Sequence, residues 1–315
     1  MQIFKLKPYC TKAIWGGKNL NLKYGKKDYE DVAEAWELSG YRGKESTAAS
    51  GVNVGATITQ LAEKYGKVAF LGTKAEGYDK FPLLIKFIDA ASPLSIQVHP
   101  SDENAKLLGA DGGKTEMWII CDCEDGAYLY FGAKEQLSPE LFRSSILDGS
   151  ITDYLNKVPV KKGDTFFIKA GTIHAIGAGI TICEIQQTSD TTYRLYDYKR
   201  KDKDGSEREL HIEKGIIASN LTPVTDFYEK GVKDGCELKL VSCPFFNVSR
   251  IELDGIAEIN VDPSSFAALT VTEGEGKIVC ADDSIFVKMG DTVFAPAGSG
   301  KVVFNGKMTV VKSTL

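Results

Sequence analysis

The chain has 315 residues, of which 43% are hydrophobic and 26% charged, and its net charge is −5. This length and composition are typical of an ordinary globular protein with a sizeable core and room for two domains. The one basic run, residues 199–204, is interleaved with acidic residues like a solvated loop, which argues against a nucleic-acid partner. No apolar run approaches the ~20 residues of a membrane span, which argues against a membrane protein.

The N-terminus and the cysteines indicate a cytoplasmic protein. Residues 1–8 lack the apolar stretch of a secretory signal. The seven cysteines are scattered and form no CxxC pair, which favours reduced thiols over disulfides or a cysteine zinc site. We therefore expect a cytoplasmic chain whose oligomeric state the sequence leaves open.

Capping and breaking residues predict four helical regions. Thr57 precedes Gln60 at the spacing of a capping box. The clearest helical region begins at Ser138, which is followed by proline, and Gly149 divides that region in two. The four regions are residues 57–65, 101–108, 138–156 and 211–220.

The rest of the chain favours strands. Apolar runs at residues 83–88, 94–98 and 116–123 suit buried strands. From about Cys236 onward the sequence alternates like strands joined by Gly and Asp turns. We therefore predict a mainly β fold with a small helical region inserted in or flanking its first part.

Two of the three histidines lie in fragments that can form one metal site. Residues two apart on a strand face the same side, so Gln97 and His99 point together. A second fragment, residues 163–174, reads as a strand, a tight turn and a strand that begins near His174. Neutral imidazole is the commonest protein metal ligand, and Glu116, at the start of another strand, can supply a carboxylate. Nitrogen and oxygen ligands without thiolate fit zinc, and also manganese, iron or nickel.

The second fragment is repeated later in the chain. GDTFFIKAG at residues 163–171 matches GDTVFAPAG at residues 290–298 in spacing. Each copy resembles the second half of the cupin signature, but no histidine follows His211. We therefore predict two cupin-like (jelly-roll) β-barrel modules. Residues 1–235 form a metal-binding catalytic module with a helical insertion at about 138–156, and residues 236–315 form a module without metal ligands.

Several ordered motifs together resemble the type I mannose-6-phosphate isomerases, in their short bacterial form. The motifs are SIQVHP at 95–100, GKTEMW at 113–118, GTIHA at 171–175, EIQQ at 184–187 and SDTTYR at 189–194, with WGG at 15–17 and AWELS at 35–39. The resemblance runs in order from residue 1 to about 220. Lys169 stands where the cupin turn has proline, and this departure does not touch the proposed ligands.

The resemblance implies a zinc-dependent aldose–ketose isomerase that interconverts mannose 6-phosphate and fructose 6-phosphate. It implies one Zn²⁺ per chain and a small sugar phosphate as the partner. The implied metal ligands are Gln97, His99, Glu116 and His174; the implied substrate-binding residues are Ser95, Lys114 and Arg194; and the implied catalytic residues are Lys114, Glu184 and Arg194. Charge that develops on the sugar oxygens of an enediolate needs a cation aimed at it, and a base must carry the proton.

Alternatives remain at the level of residues and of function. His211 favours a structural or capping role, Arg194 can instead pair with Asp190 or Asp197, and Glu184 can brace a loop. A metal-dependent cupin oxygenase and a non-catalytic sugar-phosphate-binding cupin are the competing functions. The sequence leaves the proton-transferring base unidentified.

Overall fold

The computed structural model describes residues 1–201 and 205–315, so residues 202–204 of the predicted basic loop lie outside the described residues. The fold is mainly β, as predicted. The strands are β1 Phe4–Lys7, β2 Tyr9–Thr11, β3 Glu34–Leu38, β4 Thr47–Ala48, β5 Leu83–Ala90, β6 Ile96–Val98, β7 Glu116–Cys123, β8 Tyr128–Ala133, β9 Leu155–Pro159, β10 Thr165–Ile168, β11 His174–Ile176, β12 Ile180–Gln187, β13 Tyr193–Tyr196, β14 Val232–Asp234, β15 Glu237–Ser242, β16 Asn247–Val261, β17 Ala267–Cys280, β18 Asp283–Lys288, β19 Thr292–Ala295 and β20 Gly300–Thr314.

The helices are short and most begin at residues that the sequence marks. They are α1 Asn19–Leu22, α2 Ile58–Tyr65, α3 Lys67–Leu71, α4 Asp102–Leu108, α5 Pro139–Asp148 and α6 Ile212–Ala218. At α2 the Gln60 backbone N–H donates to Thr57 Oγ1 at 3.2 Å and the Gln60 side chain accepts from the Thr57 N–H at 2.9 Å, so the capping box is confirmed. None of the helices in the described residues is long and apolar enough to cross a membrane.

The helical region that begins at Ser138 is shorter than predicted. Ser138 caps α5, and Gly149 ends it in the left-handed conformation (φ 89°), where a residue without Cβ is favoured. A 3₁₀ turn over Ser150–Tyr154 follows, and β9 begins at Leu155. The prediction of helix to residue 156 was wrong because Leu155 pairs with Ala133 in a sheet, which local propensity does not reveal.

Two sheets enclose the core of the first part of the chain. One has the strand order β10-β7-β12-β5-β3-β2 and the other β13-β6-β11-β8-β9. A buried apolar cluster combines residues of both sheets, among them Ile88, Trp118, Leu129 and Ile176. The two sheets therefore face each other across this cluster.

The six-stranded sheet is buried on both faces. All eight residues of β5 are buried, as its continuous apolar run predicts. Alternate residues Leu83, Ile85 and Phe87 pack in a second cluster that also contains Phe246 and Phe294 from the C-terminal part of the chain. The sheet thus has one apolar face toward the C-terminal module and another toward the first core.

The C-terminal sheet also takes strands from the beginning of the chain. Its main path is β14-β15-β16-β20-β17-β19-β1-β4, and β18 pairs with β17. Its strands enclose a cluster of their own residues, including Ile3, Ile259 and Phe304, so the sheet must curve around this core. At Gly276 the strands are so close that a Cβ would lie 2.5 Å from the Asn305 carbonyl oxygen. The boundary at residue 235 remains our proposal.

Candidate metal centre and pocket

The proposed metal ligands come from both sheets of the first module. Gln97 lies on β6 and pairs directly with His174, the first residue of β11. Glu116 is the first residue of β7, in the six-stranded sheet. His99 follows β6 by one residue and is almost fully buried. Strand pairing therefore places Gln97 beside His174, and sheet packing brings Glu116 to them.

The distances between these side chains suit a common ion. His99 Nε2 lies 3.3 Å from Glu116 Oε1, and His174 Nε2 lies 3.7 Å from Glu116 Oε2. The Gln97 side-chain amide lies 3.4 Å from His174 Nε2. Ligand atoms about 2.1 Å from a tetrahedral zinc ion would be about 3.4 Å apart. His99, Glu116 and His174 are therefore close to the spacing of a metal site, and Gln97 lies beside His174.

Both histidines are held as neutral rings with one nitrogen toward Glu116. The Nδ1–H of His99 donates to the Thr191 carbonyl at 2.9 Å, and that of His174 to the Thr172 carbonyl at 2.8 Å. Burial lowers the pKa of His99 to about 3 and also lowers the pKa of His174. Each Nε2 thus keeps its lone pair, and a backbone carbonyl fixes the ring as in many metal sites.

The Glu116 carboxylate is the clearest sign that a cation belongs here. It is fully buried, and among the described residues neither of its oxygens accepts a hydrogen bond of good geometry. Lys114 Nζ lies 2.5 Å from Oε1 and 3.0 Å from His99 Nε2. Burial alone would raise the pKa of Glu116, but Lys114 and the histidines outweigh it and hold this pKa well below 4.5. Lys114 thus offsets the cost of burying this charge, and the carboxylate together with the two imidazole nitrogens beside it forms a donor set that fits a divalent ion.

A pocket of about 170 Å³ adjoins the cluster, and we call it the site pocket. One row of directly paired residues crosses four strands at its floor: Trp36 pairs with Lys86, Lys86 with Glu184, and Glu184 with Trp118. The residues that line the pocket include Trp15, Glu34, Lys86, Ser95, Gln97, Lys114, Trp118, Glu184, Arg194 and Arg208.

Glu184 is a buried carboxyl group with one partnered and one unpartnered oxygen. Trp118 Nε1 donates to Oε2 at 2.9 Å, whereas Oε1 accepts no hydrogen bond from any residue that the structure describes. Lys86 Nζ lies 3.7 Å from Oε1. Burial, followed by the charge of Glu116, raises the pKa of Glu184 to about 7. Such a group can exchange a proton near neutral pH.

Arg194 lines the site pocket and does not form the ion pairs that we considered as its alternative role. Its Nη1 donates to the Glu209 carbonyl at 2.8 Å, and its buried Nε has no hydrogen-bond partner within the described part of the chain. Asp197 instead pairs with Arg200 and Arg208. Asp190 pairs with Lys44 at 2.7 Å. The guanidinium of Arg194 therefore has donors to offer a ligand.

Two further predicted residues, Ser95 and His211, lie at or beside the site pocket, and Lys86 and Arg208 join them. Ser95 lines the site pocket, with its hydroxyl 3.5 Å from Gln97 Oε1. His211 precedes α6 without capping it by its side chain; its Nδ1 accepts the Arg194 backbone N–H at 3.1 Å, which is a structural role. Lys86 and Arg208 were missed. The signal for Lys86 was a lysine within an otherwise largely apolar buried strand, since lysine is rarely buried without a reason.

Comparison with known proteins agrees with this architecture. Residues 3–117 match the family model "Phosphomannose isomerase type I, catalytic domain", and residues 236–315 match "Mannose-6-phosphate isomerase, cupin domain". The chain is 35% identical to mannose-6-phosphate isomerase ManA of Bacillus subtilis over 313 residues, 98% of each chain. It is also 35% identical to mannose-6-phosphate isomerase of Streptococcus mutans, over 98% of this chain and 96% of that one.

Solved structures give the same result. The crystal structure of mannose 6-phosphate isomerase from Bacillus subtilis superposes with a TM-score of 0.90 at 33% identity and covers 100% of both chains. A putative mannosephosphate isomerase from Archaeoglobus fulgidus, at 24% identity and a TM-score of 0.81, covers 99% of this chain and 96% of that one, and supports the fold alone.

The fold is thus that of a cupin-type enzyme with a buried histidine–carboxylate cluster beside a polar pocket. The chain belongs to the type I mannose-6-phosphate isomerase family and is an isomerase.

Proposed function

We propose that this chain interconverts mannose 6-phosphate and fructose 6-phosphate in a zinc-dependent reaction that passes through an enediolate. The relatives' names supply mannose 6-phosphate, and fructose 6-phosphate is the ketose that aldose–ketose isomerisation of this sugar produces. The observation that carries the metal dependence is the buried Glu116 carboxylate, whose oxygens lie 3.3 Å and 3.7 Å from an imidazole nitrogen of His99 and of His174. The family favours an isomerase over the oxygenase and the non-catalytic binding protein.

Gln97, His99, Glu116 and His174 would hold one Zn²⁺ per chain. Two imidazole nitrogens, a carboxylate and an amide oxygen match the ligand types that zinc accepts. The amide nitrogen of Gln97 faces His174, and a half-turn of the amide group would present the oxygen instead. When bound, the ion would act as a Lewis acid toward the sugar oxygens.

The remaining site residues would handle charge and protons. Isomerisation removes a proton from C2 of the aldose and delivers one to C1, while the hydroxyl proton on O2 is lost and O1 is protonated. Glu184, whose pKa is raised to about 7, suits the proton transfer. Lys114 and Arg194 supply positive charge where the enediolate and phosphate are negative.

Metal removal tests the proposal directly. Dialysis against a strong chelator should abolish isomerisation, and one equivalent of zinc should restore it. His174→Ala should lose both the metal and the activity, whereas His211→Ala, which alters the histidine outside the cluster, should retain one metal per chain by elemental analysis. Full activity in protein shown to be metal-free would refute the proposal.

A further inference from the structure

We infer that Arg208 is a second phosphate-binding residue of the site pocket and that Asp197 positions it. The inference rests on the proposed function, because it assumes that the pocket takes a sugar phosphate. Arg208 was not among the residues that the sequence singled out, and it lies 14 residues beyond Arg194 in the chain.

Arg208 is held by one edge of its guanidinium and lines the site pocket. Its Nε donates to Asp197 Oδ2 at 2.7 Å, and its Nη2 donates to Asp197 Oδ1 at 2.6 Å. Such paired hydrogen bonds fix the plane of the guanidinium, and the Nη1 atom of Arg208 takes no part in them. The Asp197 side chain is only 5% exposed, so the contact is sheltered from solvent.

A strained turn holds Asp197 itself. The Arg200 backbone N–H donates to the Asp197 carbonyl at 3.0 Å, across a turn whose central residues, Tyr198 and Lys199, have φ values of 56° and 54°. Turns with two positive φ angles normally use glycine or asparagine, so this backbone is unfavourable for its own residues. Arg200 further ties the turn to the Pro93 carbonyl at 2.6 Å.

Arg194 and Arg208 bring two cations to the same pocket. Both guanidinium groups line this pocket, so their like charges repel each other, and burial, followed by the charge of Arg208, lowers the pKa of Arg194. Asp197 forms ion pairs with Arg208 and Arg200. A phosphate dianion between the two arginines would offset the repulsion and satisfy donors that include the unpartnered Nε of Arg194.

Steady-state kinetics of the zinc-loaded enzyme test the assignment. Arg208→Met should raise the KM for mannose 6-phosphate about ten- to a hundredfold, the equivalent of a lost charge-assisted hydrogen bond, and should change kcat less than about threefold. Arg208→Lys should recover part of the loss. Arg143→Met is the matched control because Arg143 forms an exposed ion pair with Glu213 and does not line the site pocket; its KM should stay within about threefold of wild type.

Inhibition separates phosphate recognition from a structural role. The inhibition constant of inorganic phosphate should rise with the KM in Arg208→Met, whereas that of the neutral polyol mannitol should not change. An unchanged KM in Arg208→Met, an equal rise in Arg143→Met, or an equal weakening of mannitol would each overturn the inference. If wild-type enzyme did not isomerise mannose 6-phosphate, the proposed function would fail, and calorimetric titration of both proteins with inorganic phosphate would still decide the role of Arg208.

Discussion

A buried ion pair joins the first part of the chain to the C-terminal sheet, and we predict that breaking it destabilises the protein in a pH-dependent way. Lys26 Nζ lies 2.5 Å from Glu37 Oε1 and donates to the Gly290 carbonyl at 2.6 Å. Thr292 donates to the other Glu37 oxygen at 3.3 Å. Glu37 is fully buried, and its pKa is raised by burial, which Lys26 partly opposes.

Lys26→Met leaves the Glu37 carboxylate buried without its cation, which typically costs about 3–5 kcal/mol. The variant can avoid a buried charge by protonating Glu37. Starting from the ordinary glutamate pKa of 4.5 in the unfolded chain, protonation costs about 4.8 kcal/mol at pH 8 and about 1.4 kcal/mol at pH 5.5. A carboxyl group whose folded pKa is raised stabilises the fold at low pH and loses this contribution as pH rises through that pKa. The loss in Lys26→Met should therefore be largest at pH 8 and smaller by up to about 3 kcal/mol at pH 5.5.

The assay is urea unfolding of wild type and variant at the two pH values, followed by tryptophan fluorescence and circular dichroism. Lys26→Met with Glu37→Leu should recover much of the loss, because neither charge is then buried. Lys301→Met removes the cation of an exposed pair with Glu258 in the C-terminal sheet and should change the midpoint little at either pH. An equal loss for Lys26→Met at pH 5.5 and pH 8 would refute the reasoning.

Three further predictions concern the site and one helix. His99→Ala should reduce bound zinc and activity together and lower the thermal midpoint, as measured by elemental analysis, coupled assay and calorimetry; zinc retained at wild-type content would contradict the ligand assignment. Arg194→Lys should keep the metal and the fold. If the planar guanidinium of Arg194 binds the enediolate, kcat should fall more than KM rises, since the point charge of lysine cannot replace that group. Wild-type values of both constants would remove Arg194 from the site. Ser138→Ala removes the cap that accepts the Leu141 N–H at 3.1 Å and should cost about 1 kcal/mol in urea unfolding, whereas Ser144→Ala, inside the same helix, should cost less.

Local signals in the sequence revealed much of the fold and the candidate ligands. Capping residues at Thr57 and Ser138 mark helix starts because their side chains bond nearby backbone groups, so the information lies within four residues. The common direction of Gln97 and His99 is also local information, because residues two apart on a strand face the same side. Their convergence with Glu116 and His174 was predicted from the cupin-like fragments together with the family motifs, because spacing alone does not tell which strands become neighbours.

The parts that the sequence did not reveal depend on distant pairings. Phe4 pairs with Phe294, nearly the whole chain away, so nothing local indicates that β1 belongs to the C-terminal sheet. Leu155 belongs to an apolar pattern that is compatible with a helix and with a strand, and its pairing with Ala133 in the sheet makes it part of a strand. Arg208 follows a charged run of the sequence, and its contact with Asp197 and its position in the site pocket distinguish it from a solvated surface arginine.

The apolar face of the six-stranded sheet sets the position of the polar residues on its other face. On β5, Ile85 and Phe87 pack in the cluster that contains C-terminal residues, and Lys86 between them faces the site pocket. A strand that slipped by one residue would exchange its two faces, burying Lys86 in the apolar cluster and losing its pairing with Glu184. The cost of burying a lysine among apolar side chains therefore opposes such a slip. By this argument the C-terminal module, although its sequence has no histidine, helps to fix the register on which the isomerase site depends.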